Sequence, residues 1–218
     1  LGDVYKRQLP EFPAGKPLFI FASHFHADHY APVIFQLGEK RENVFYILSK
    51  EIGKKIPEEY RKRYKDRIRL VKAGERFCLN ISEESLIVET FHSTDEGVAF
   101  WLSCEGKEIY HAGDLNNWWW EGEDMAWNRN MAASYKQEMK KLSGRTADLA
   151  FIPVDPRQEQ WFYLGAAGFM EQADTKWIFP MHFWEDYTII PKLIEHPSSE
   201  GWRDRIVEIH KEGEEFIR

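Results

Sequence analysis

Short apolar segments alternate along the chain with longer segments of mixed polarity. The apolar segments are rich in β-branched and aromatic residues, which is typical of β-strands. The predicted strands span residues 18–22, 43–49, 67–72, 85–91, 98–104, 108–113, 148–154, 176–181 and 205–210. The longer segments have helical periodicity and polar faces, and they predict helices at about residues 31–38, 50–64, 124–143, 164–173 and 187–195. Strands and helices that alternate in this way indicate an α/β sandwich.

The length of the chain favours one domain. Its 218 residues, 43% of them hydrophobic, are enough to form one substantial core. No repeat, low-complexity tract or Pro/Gly-rich linker divides the sequence. Residues 3–8, DVYKRQ, read like a translated sequencing-library adaptor. We therefore expect residues 1–8 to be a non-native leader and residues 9–218 to form a single domain whose natural N-terminus is missing.

Charge and composition narrow the class of partner. The net charge of -7 argues against a nucleic-acid partner, because phosphate binding needs clustered Lys and Arg, and the main basic run, KRYKDRIRLVK, is interrupted by Asp66. No apolar run approaches the ~20 residues of a membrane helix. Cys78 and Cys104 form no closely spaced pair, which is typical of reduced thiols. These features predict a cytoplasmic protein that acts on a small molecule and leave its oligomeric state open.

The segment SHFHADH follows the first predicted strand directly and concentrates ionisable side chains. In a helix, His24 and Asp28 would share a face while His26 pointed elsewhere. At the end of an extended strand, His24 and His26 lie on the same side, and a turn through Ala27 returns Asp28 and His29 toward them. Imidazole and carboxylate groups are the donors that Zn²⁺ and similar ions prefer. The segment therefore predicts a metal site.

Three further candidate ligands follow other predicted strands. His92 comes after the strand at 85–91, Asp114 after the strand at 108–113, and His182 after the strand at 176–181. A single His beside an apolar run is usually a packed or solvated residue. Together with the first cluster, the three side chains supply the donors that a metal site still lacks.

The motif HxHxDH, with its three later partners in order, resembles the metallo-β-lactamase superfamily of hydrolases. The resemblance covers residue 18 to about residue 183 and implies an αββα sandwich with a two-metal site at one edge of the paired sheets. Family members normally begin with several strands before HxHxDH, so we expect those strands to be missing here. The segments HSTDEG and YHAGDLNNWWW look like a branch of small bacterial hydrolases.

The resemblance implies seven protein ligands for two divalent cations. They are His24, His26 and His92 for the first cation, Asp28, His29 and His182 for the second, and Asp114 as a bridge. Zn²⁺ is favoured because the family's di-iron oxygen reductases tend to carry Glu at the second ligand position, although Mn²⁺ or Fe²⁺ suits similar donors.

The resemblance also implies a reaction. A bridging hydroxide would attack an ester, lactone, amide or phosphodiester bond of a small metabolite, with Asp28 and Asp114 as catalytic residues. Asp28 would help to relay the proton of the water. A nuclease or cyclic-nucleotide phosphodiesterase of the same superfamily is the alternative enzyme. A non-catalytic metal-binding protein is the alternative from another class.

Residues near the predicted ligands are candidates for contact with substrate. Asn117 and Trp118 follow Asp114, and Arg157, which would suit a carboxylate or phosphate, follows another predicted strand. Turn formation and core packing are the competing interpretations. Three consecutive indoles, at positions 118–120, cannot all face one core, so at least one should line the site or an interface.

Two further groups of polar side chains lie close to predicted ligands. Ser93, Thr94 and Asp95 could accept hydrogen bonds from ligand imidazoles, or they could close their own loop on the backbone. His111, three residues before Asp114, is expected to pack or to hydrogen-bond a ligand rather than to bind a metal.

Overall fold

The computed structural model describes residue 13 and residues 15–81 and 84–216. The expected leader and the start of the domain at residue 9 lie outside these residues. The strands are β1 Leu18–Ala22, β2 Val44–Ser49, β3 Ile68–Val71, β4 Arg76–Ile81, β5 Glu84–His92, β6 Val98–Cys104, β7 Lys107–His111, β8 Thr146–Pro153 and β9 Asp174–Met181. The α-helices are α1 Phe35–Lys40, α2 Glu58–Arg63, α3 Met125–Lys140, α4 Leu164–Met170 and α5 Ile189–Glu195.

The strands form two sheets. The smaller sheet is parallel, in the order β1-β2-β3. The larger sheet has the order β4-β5-β6-β7-β8-β9, antiparallel from β4 to β7 and parallel from β7 to β9. Parallel neighbours need a crossover connection, and helices supply it: α1 joins β1 to β2, α2 joins β2 to β3, α3 joins β7 to β8, and α4 joins β8 to β9.

Apolar side chains occur on both faces of each sheet and define the layers. Between the sheets, Ile47 of β2 packs in one cluster with Val88 of β5 and Phe100 of β6. On the outer face of the smaller sheet, Tyr46 packs with Phe35 of α1. A third cluster packs the larger sheet against α3, α4 and α5. The predicted α/β sandwich, with helices outside two facing sheets, is therefore confirmed.

Most predicted elements are present, with three differences. Strand β4 was not predicted, because its side chains alternate between exposed and only partly buried positions. The strand predicted at residues 205–210 is wrong: among the described residues, this segment contributes only an isolated bridge between Ile206 and Ile178. The helix predicted at residues 50–64 is divided into a 3-10 segment, Lys50–Lys54, and α2. Pro57 lies between them, and the residue before a proline disfavours helical geometry.

None of the helices in the described part of the chain is long and apolar enough to span a bilayer. The cytoplasmic location stays a prediction.

Candidate metal centre

The candidate ligands meet at one edge of the sandwich because each follows a strand that ends there. The HxHxDH segment follows β1, Asp114 follows β7, and His182 follows β9. Since β7, β8 and β9 are parallel, the residues after them come together at the carboxyl edge of the larger sheet. A hydrogen bond between the sheets brings the end of β1 to the same place: the Val98 backbone N–H donates to the Ser23 carbonyl over 3.1 Å.

Asp114 lies at the centre of the cluster and is almost completely buried. One carboxylate oxygen lies 3.3 Å from Nε2 of His24, and the other lies 3.0 Å from Nε2 of His29 and 3.7 Å from Nε2 of His182. Asp28 makes similar approaches, with Oδ2 at 3.3 Å from Nε2 of His29 and at 3.4 Å from Nε2 of His182. Two carboxylates therefore face the ring nitrogens of three histidines.

Three groups of side chains in the described part of the chain present ligand atoms within 4.8 Å of one another. They are His24, His29 and Asp114; Asp28, His29 and His182; and His26, Asp95 and Asp114. Asp114 and His29 each belong to two groups, so the groups form one continuous cluster. Such an arrangement of imidazoles and carboxylates has the donor chemistry of a divalent-metal site.

The buried polar atoms of this cluster fit a cation. Nε2 of His29 and Oδ1 of Asp114 are both buried and lie 3.0 Å apart, but among the described residues neither atom makes a well-directed hydrogen bond. Leaving such atoms unpaired costs free energy, and a cation coordinated by both would remove that cost. The residues present therefore fit a metal ion.

The electrostatics of the cluster also favour added positive charge. Burial lowers the pKa of His29, but its contacts with Asp114 and Asp28 outweigh burial and raise it to about 9. Burial likewise lowers the pKa of His182, and contacts with Asp155 and Asp28 raise it to about 9. The pKa of Asp28 is lowered by its contacts with His182 and His29. Protons on the two imidazoles supply positive charge here, and a cation can replace them.

His24 differs from its neighbours. Burial, followed by the nearby His29, lowers the pKa of His24 to about 4. Its Nε2 also lies 3.0 Å from Nδ1 of His26. A neutral imidazole is the form that binds a metal, so His24 is already in the required state at neutral pH.

The structure does not bring His92 into any of the three groups. His92 ends β5 with an exposed side chain, which lines a neighbouring groove of about 440 Å³ beside α3. Asp95, three residues later, joins His26 and Asp114 instead. Burial, followed by the nearby Asp114, raises the pKa of Asp95.

The reason for this difference is the close approach of the β5–β6 loop to the HxHxDH segment. Gly97 has φ +73°, and a Cβ at this position would lie 1.9 Å from the carbonyl oxygen of Ser23. Only glycine allows the loop to come so near, and the approach carries Asp95 over the cluster. The sequence did single out Asp95, but as a hydrogen-bond acceptor for a ligand imidazole.

Asp155, which follows β8, orients one of the ligands. Its completely buried carboxylate lies 2.8 Å from Nδ1 of His182, and it accepts hydrogen bonds from Arg157 and Trp184. Burial raises the pKa of Asp155, but the contacts with His182 and Arg157 outweigh burial and lower it to about 2. A carboxylate at Nδ1 keeps the proton there and leaves Nε2 facing Asp28 and Asp114. The position of Asp155 at the end of a parallel strand was the available sequence signal for this role.

The backbone at His182 is strained. His182, Trp184 and Glu185 all have positive φ values, of 65°, 50° and 62°. Non-glycine residues in this region cost roughly 1–3 kcal/mol each, and such strain is concentrated at functional sites. The loop after β9 therefore maintains an unfavourable conformation that places His182 in the cluster.

A cleft of about 360 Å³ opens over the ligand groups. Trp118 and Arg157, two of the predicted substrate contacts, line it. Asn117 is absent from the described lining, and its backbone carbonyl accepts a hydrogen bond from Gln158. The remaining wall is largely aromatic and contains Trp120, Trp127 and Trp184.

The other polar candidates have structural roles. Ser93 Oγ accepts a hydrogen bond from the backbone of Asp95, and Thr94 Oγ1 donates to the carbonyl of Asn116, so these side chains close their own loop. The ring of His111 stacks on Phe151, and it joins none of the described ligand groups, in agreement with the packing role expected from the sequence.

Comparison with known proteins supports the fold. No protein-family model and no curated protein matches this sequence. One similar solved structure is CmlA, a diiron beta-hydroxylase from Streptomyces venezuelae, with a TM-score of 0.54, 12% identity, and coverage of 91% of this chain and 44% of CmlA. Another is the metallo-beta-lactamase fold protein YhfI from Bacillus subtilis, with a TM-score of 0.51, 13% identity, and coverage of 92% of this chain and 77% of YhfI.

This chain thus spans less than half of the length of CmlA. Identities of 12–13% show a likeness of fold alone. The similarity agrees with the two facing sheets, the outer helices and the ligand groups at one edge. The chain therefore has the metallo-β-lactamase fold, as its HxHxDH motif indicates.

Proposed function

We propose that the protein is a dinuclear metal-dependent hydrolase that cleaves an ester, lactone, amide or phosphodiester bond of a small metabolite. The observation that carries the proposal is the convergence of Asp28, Asp95 and Asp114 with four histidines in one cluster beneath a cleft. A cleft of about 360 Å³ is of the size that binds small molecules.

The proposed ligands differ from those implied by the sequence at one position. We assign His24, His26 and Asp95 to one cation and Asp28, His29 and His182 to the other, with Asp114 shared. Asp95 thus replaces His92. The support for this exchange is that Asp95 reaches His26 and Asp114, whereas His92 belongs to none of the three groups in the described part of the chain.

The protein side chains have separable roles in this proposal. When bound, the two cations lower the pKa of a water molecule toward neutrality and polarise the bond to be cleaved. Asp155 fixes the Nδ1 proton of His182. Asp28 lines the cleft, and its lowered pKa keeps the carboxylate ionised at neutral pH, which is the form that binds a metal. A proton relay by Asp28 would depend on the bound cations.

The test combines metal analysis with a panel of chromogenic lactones, carboxylesters, β-lactams and bis-phosphodiesters. We expect about two metal equivalents per chain and turnover of at least one panel member, with both reduced in Asp114→Ala. Full metal content without any turnover would favour a metal-binding protein, and cleavage of the bis-phosphodiester alone would favour a phosphodiesterase or nuclease.

A matched pair of variants tests the ligand exchange. Asp95→Ala should lose about one metal equivalent and at least 100-fold in kcat/KM, because it removes a charged ligand. His92→Ala should retain the metal content of the wild type. The reverse result would return His92 to the ligand set.

One observation favours a second candidate function, oxidation at a di-iron centre. Replacing an imidazole by the carboxylate of Asp95 makes the donor set richer in oxygen, which shifts preference from Zn²⁺ toward Fe²⁺ or Mn²⁺. CmlA, which has the same fold, is a diiron β-hydroxylase. Iron in the protein as purified, together with substrate-dependent oxygen consumption, would support oxidation over hydrolysis.

A further inference from the structure

The cleft over the ligand groups has an aromatic wall that metal binding does not require. Trp118, Trp120, Trp127 and Trp184 all line it. Trp127 and Trp184 are 37% and 52% exposed, and they are two of the four large hydrophobic side chains that are exposed in the described part of the chain. Indoles left in water at a concave site are typical of ligand-binding surfaces, because covering them with a ligand is favourable.

Three of the four indoles are held by specific contacts. Trp118 and Trp120 stack with their centroids 5.7 Å apart and their planes within 6°. The Trp118 indole Nε1 donates to the backbone carbonyl of Asp114 over 2.9 Å. Trp184 packs edge-on against the His182 ring at 5.3 Å. The aromatic wall is therefore connected directly to the ligand groups.

Arg157 adds one positive charge to this wall. Its guanidinium lies 4.6 Å from the ring centre of Trp184 and 5.8 Å from that of Trp120. Nε and one terminal nitrogen donate to Asp155, which fixes the orientation of the group. Among the hydrogen bonds of the described residues, none uses the other terminal nitrogen, Nη1. Arg157 lines the cleft, so Nη1 is a donor available to a bound anion.

We propose that this cleft selects a substrate with a planar aromatic group that carries an anionic substituent. The aromatic ring packs against Trp184 and Trp127, and the anionic group accepts a hydrogen bond from Arg157. This inference rests on the proposed function, since the bond to be cleaved would then lie over Asp28 and Asp114. The chemical class is an aromatic compound that carries both an ester or amide bond to be cleaved and a separate free anionic group, such as a carboxylate.

A cationic ligand is the other class that indoles attract, through cation–π contacts. Here Arg157 itself makes the cation–π contacts with Trp120 and Trp184. The charge of Arg157 is paired with Asp155, but a guanidinium has only donors, so Nη1 can bind an anionic group and cannot bind a cation. The donor chemistry of Arg157 therefore favours an anion over a cation.

The test measures binding by calorimetry to the metal-loaded protein and so does not depend on turnover. The probes are three naphthalenes of similar shape: naphthalene-2-sulfonate, the neutral methyl 2-naphthyl sulfone, and 2-naphthylmethylammonium. A sulfonate is a weak metal ligand, so its binding reports on the wall of the cleft. We expect the sulfonate to bind at least tenfold more tightly than the sulfone and the ammonium compound to bind most weakly.

Variants locate the bound probe. Trp184→Leu and Arg157→Gln, each loaded with metal to the content of the wild type before the titration, should weaken binding of the sulfonate about tenfold. The matched controls are Trp161→Leu and Arg129→Gln, because neither residue is part of the described lining of this cleft. The controls should bind as the wild type does.

The outcomes separate this inference from the proposed function. Three results would overturn the proposed substrate class, whether or not the panel is hydrolysed. They are equal binding of the three probes, tighter binding of the ammonium compound, and wild-type binding in Trp184→Leu. Sulfonate binding with the expected variant effects supports it as a binding site even if hydrolysis fails, in which case only the proposed reaction is refuted.

Discussion

Replacing Gly97 by alanine should separate the β5–β6 loop from the HxHxDH segment. A Cβ at residue 97 would lie 1.9 Å from the Ser23 carbonyl oxygen, 2.7 Å from Cβ of His24 and 2.8 Å from a carboxylate oxygen of Glu51. The backbone oxygen cannot rotate away as a flexible side chain can. The loop must therefore move by roughly 1.5 Å to restore ordinary contact, and the hydrogen bond from Val98 to Ser23 lengthens with it.

Gly106 provides a matched control for this substitution. It also has φ +73°, but a Cβ there would meet nothing within 4 Å. Both alanine variants adopt the left-handed conformation, at a cost of about 1–2 kcal/mol each, and both lose the same freedom in the unfolded chain. The difference between their unfolding free energies therefore reports on the close approach at residue 97. Overpacking and one lost hydrogen bond predict that Gly97→Ala is less stable than Gly106→Ala by about 2–4 kcal/mol.

The assay is urea denaturation of both variants, combined with competition for metal against a chelator. Because Asp95 belongs to the displaced loop, Gly97→Ala should also bind metal at least tenfold more weakly, while Gly106→Ala should keep the affinity of the wild type. Equal unfolding free energies in the two variants would refute the close approach. A destabilised Gly97→Ala with normal metal affinity would refute its connection to Asp95.

Three further predictions follow from other contacts. Asp155→Asn should weaken metal binding about 10–100-fold in chelator competition, because an amide no longer fixes the Nδ1 proton of His182. Unchanged metal affinity would show that Asp155 does not orient His182. The pKa of His182 is raised from 6.5 to about 9, so its contribution to the stability of the metal-free protein is complete below pH 6.5 and is lost as the pH rises through 9. Urea midpoints of chelator-treated protein should therefore fall over that range, and a flat profile would contradict the assignment. Glu105 has φ +50° and lies in the two-residue turn between β6 and β7. Glu105→Asn should raise the unfolding free energy by about 0.5–1 kcal/mol, because asparagine is favoured in this turn conformation. A loss of stability would argue against this turn geometry.

The sequence predicted the parts of the fold that depend on strong local patterns. The apolar runs of β1, β2 and β6 were recognisable because nearly every residue is buried or partly buried. Strand β4 was missed because it lies at the edge of its sheet, where alternate residues are exposed. The false strand at residues 205–210 has a similar apolar pattern, but its first residue belongs to a 3-10 segment, and among the described residues it forms only the isolated bridge at Ile206.

The candidate site likewise contains residues that the sequence predicted and one that it did not. HxHxDH, Asp114 and His182 were predicted from residue type and from their positions after strands, and the structure brings them together. The choice between His92 and Asp95 depended on how closely one loop approaches another segment of the chain. That distance depends on tertiary contacts at Gly97. Local sequence patterns do not contain such information. His92 was favoured because it follows a predicted strand and matches the later His of the family that the motif resembles.

The ligand groups come from both sheets, and this has a consequence for the lifetime of the protein. The HxHxDH segment leaves the smaller sheet, whereas Asp114 and His182 leave the larger one. Cations held by the proposed ligands would act as a cross-link between the two halves, and neither half could unfold without releasing them. Metal starvation should then expose the whole chain to proteases at once, so that cellular abundance would follow metal supply.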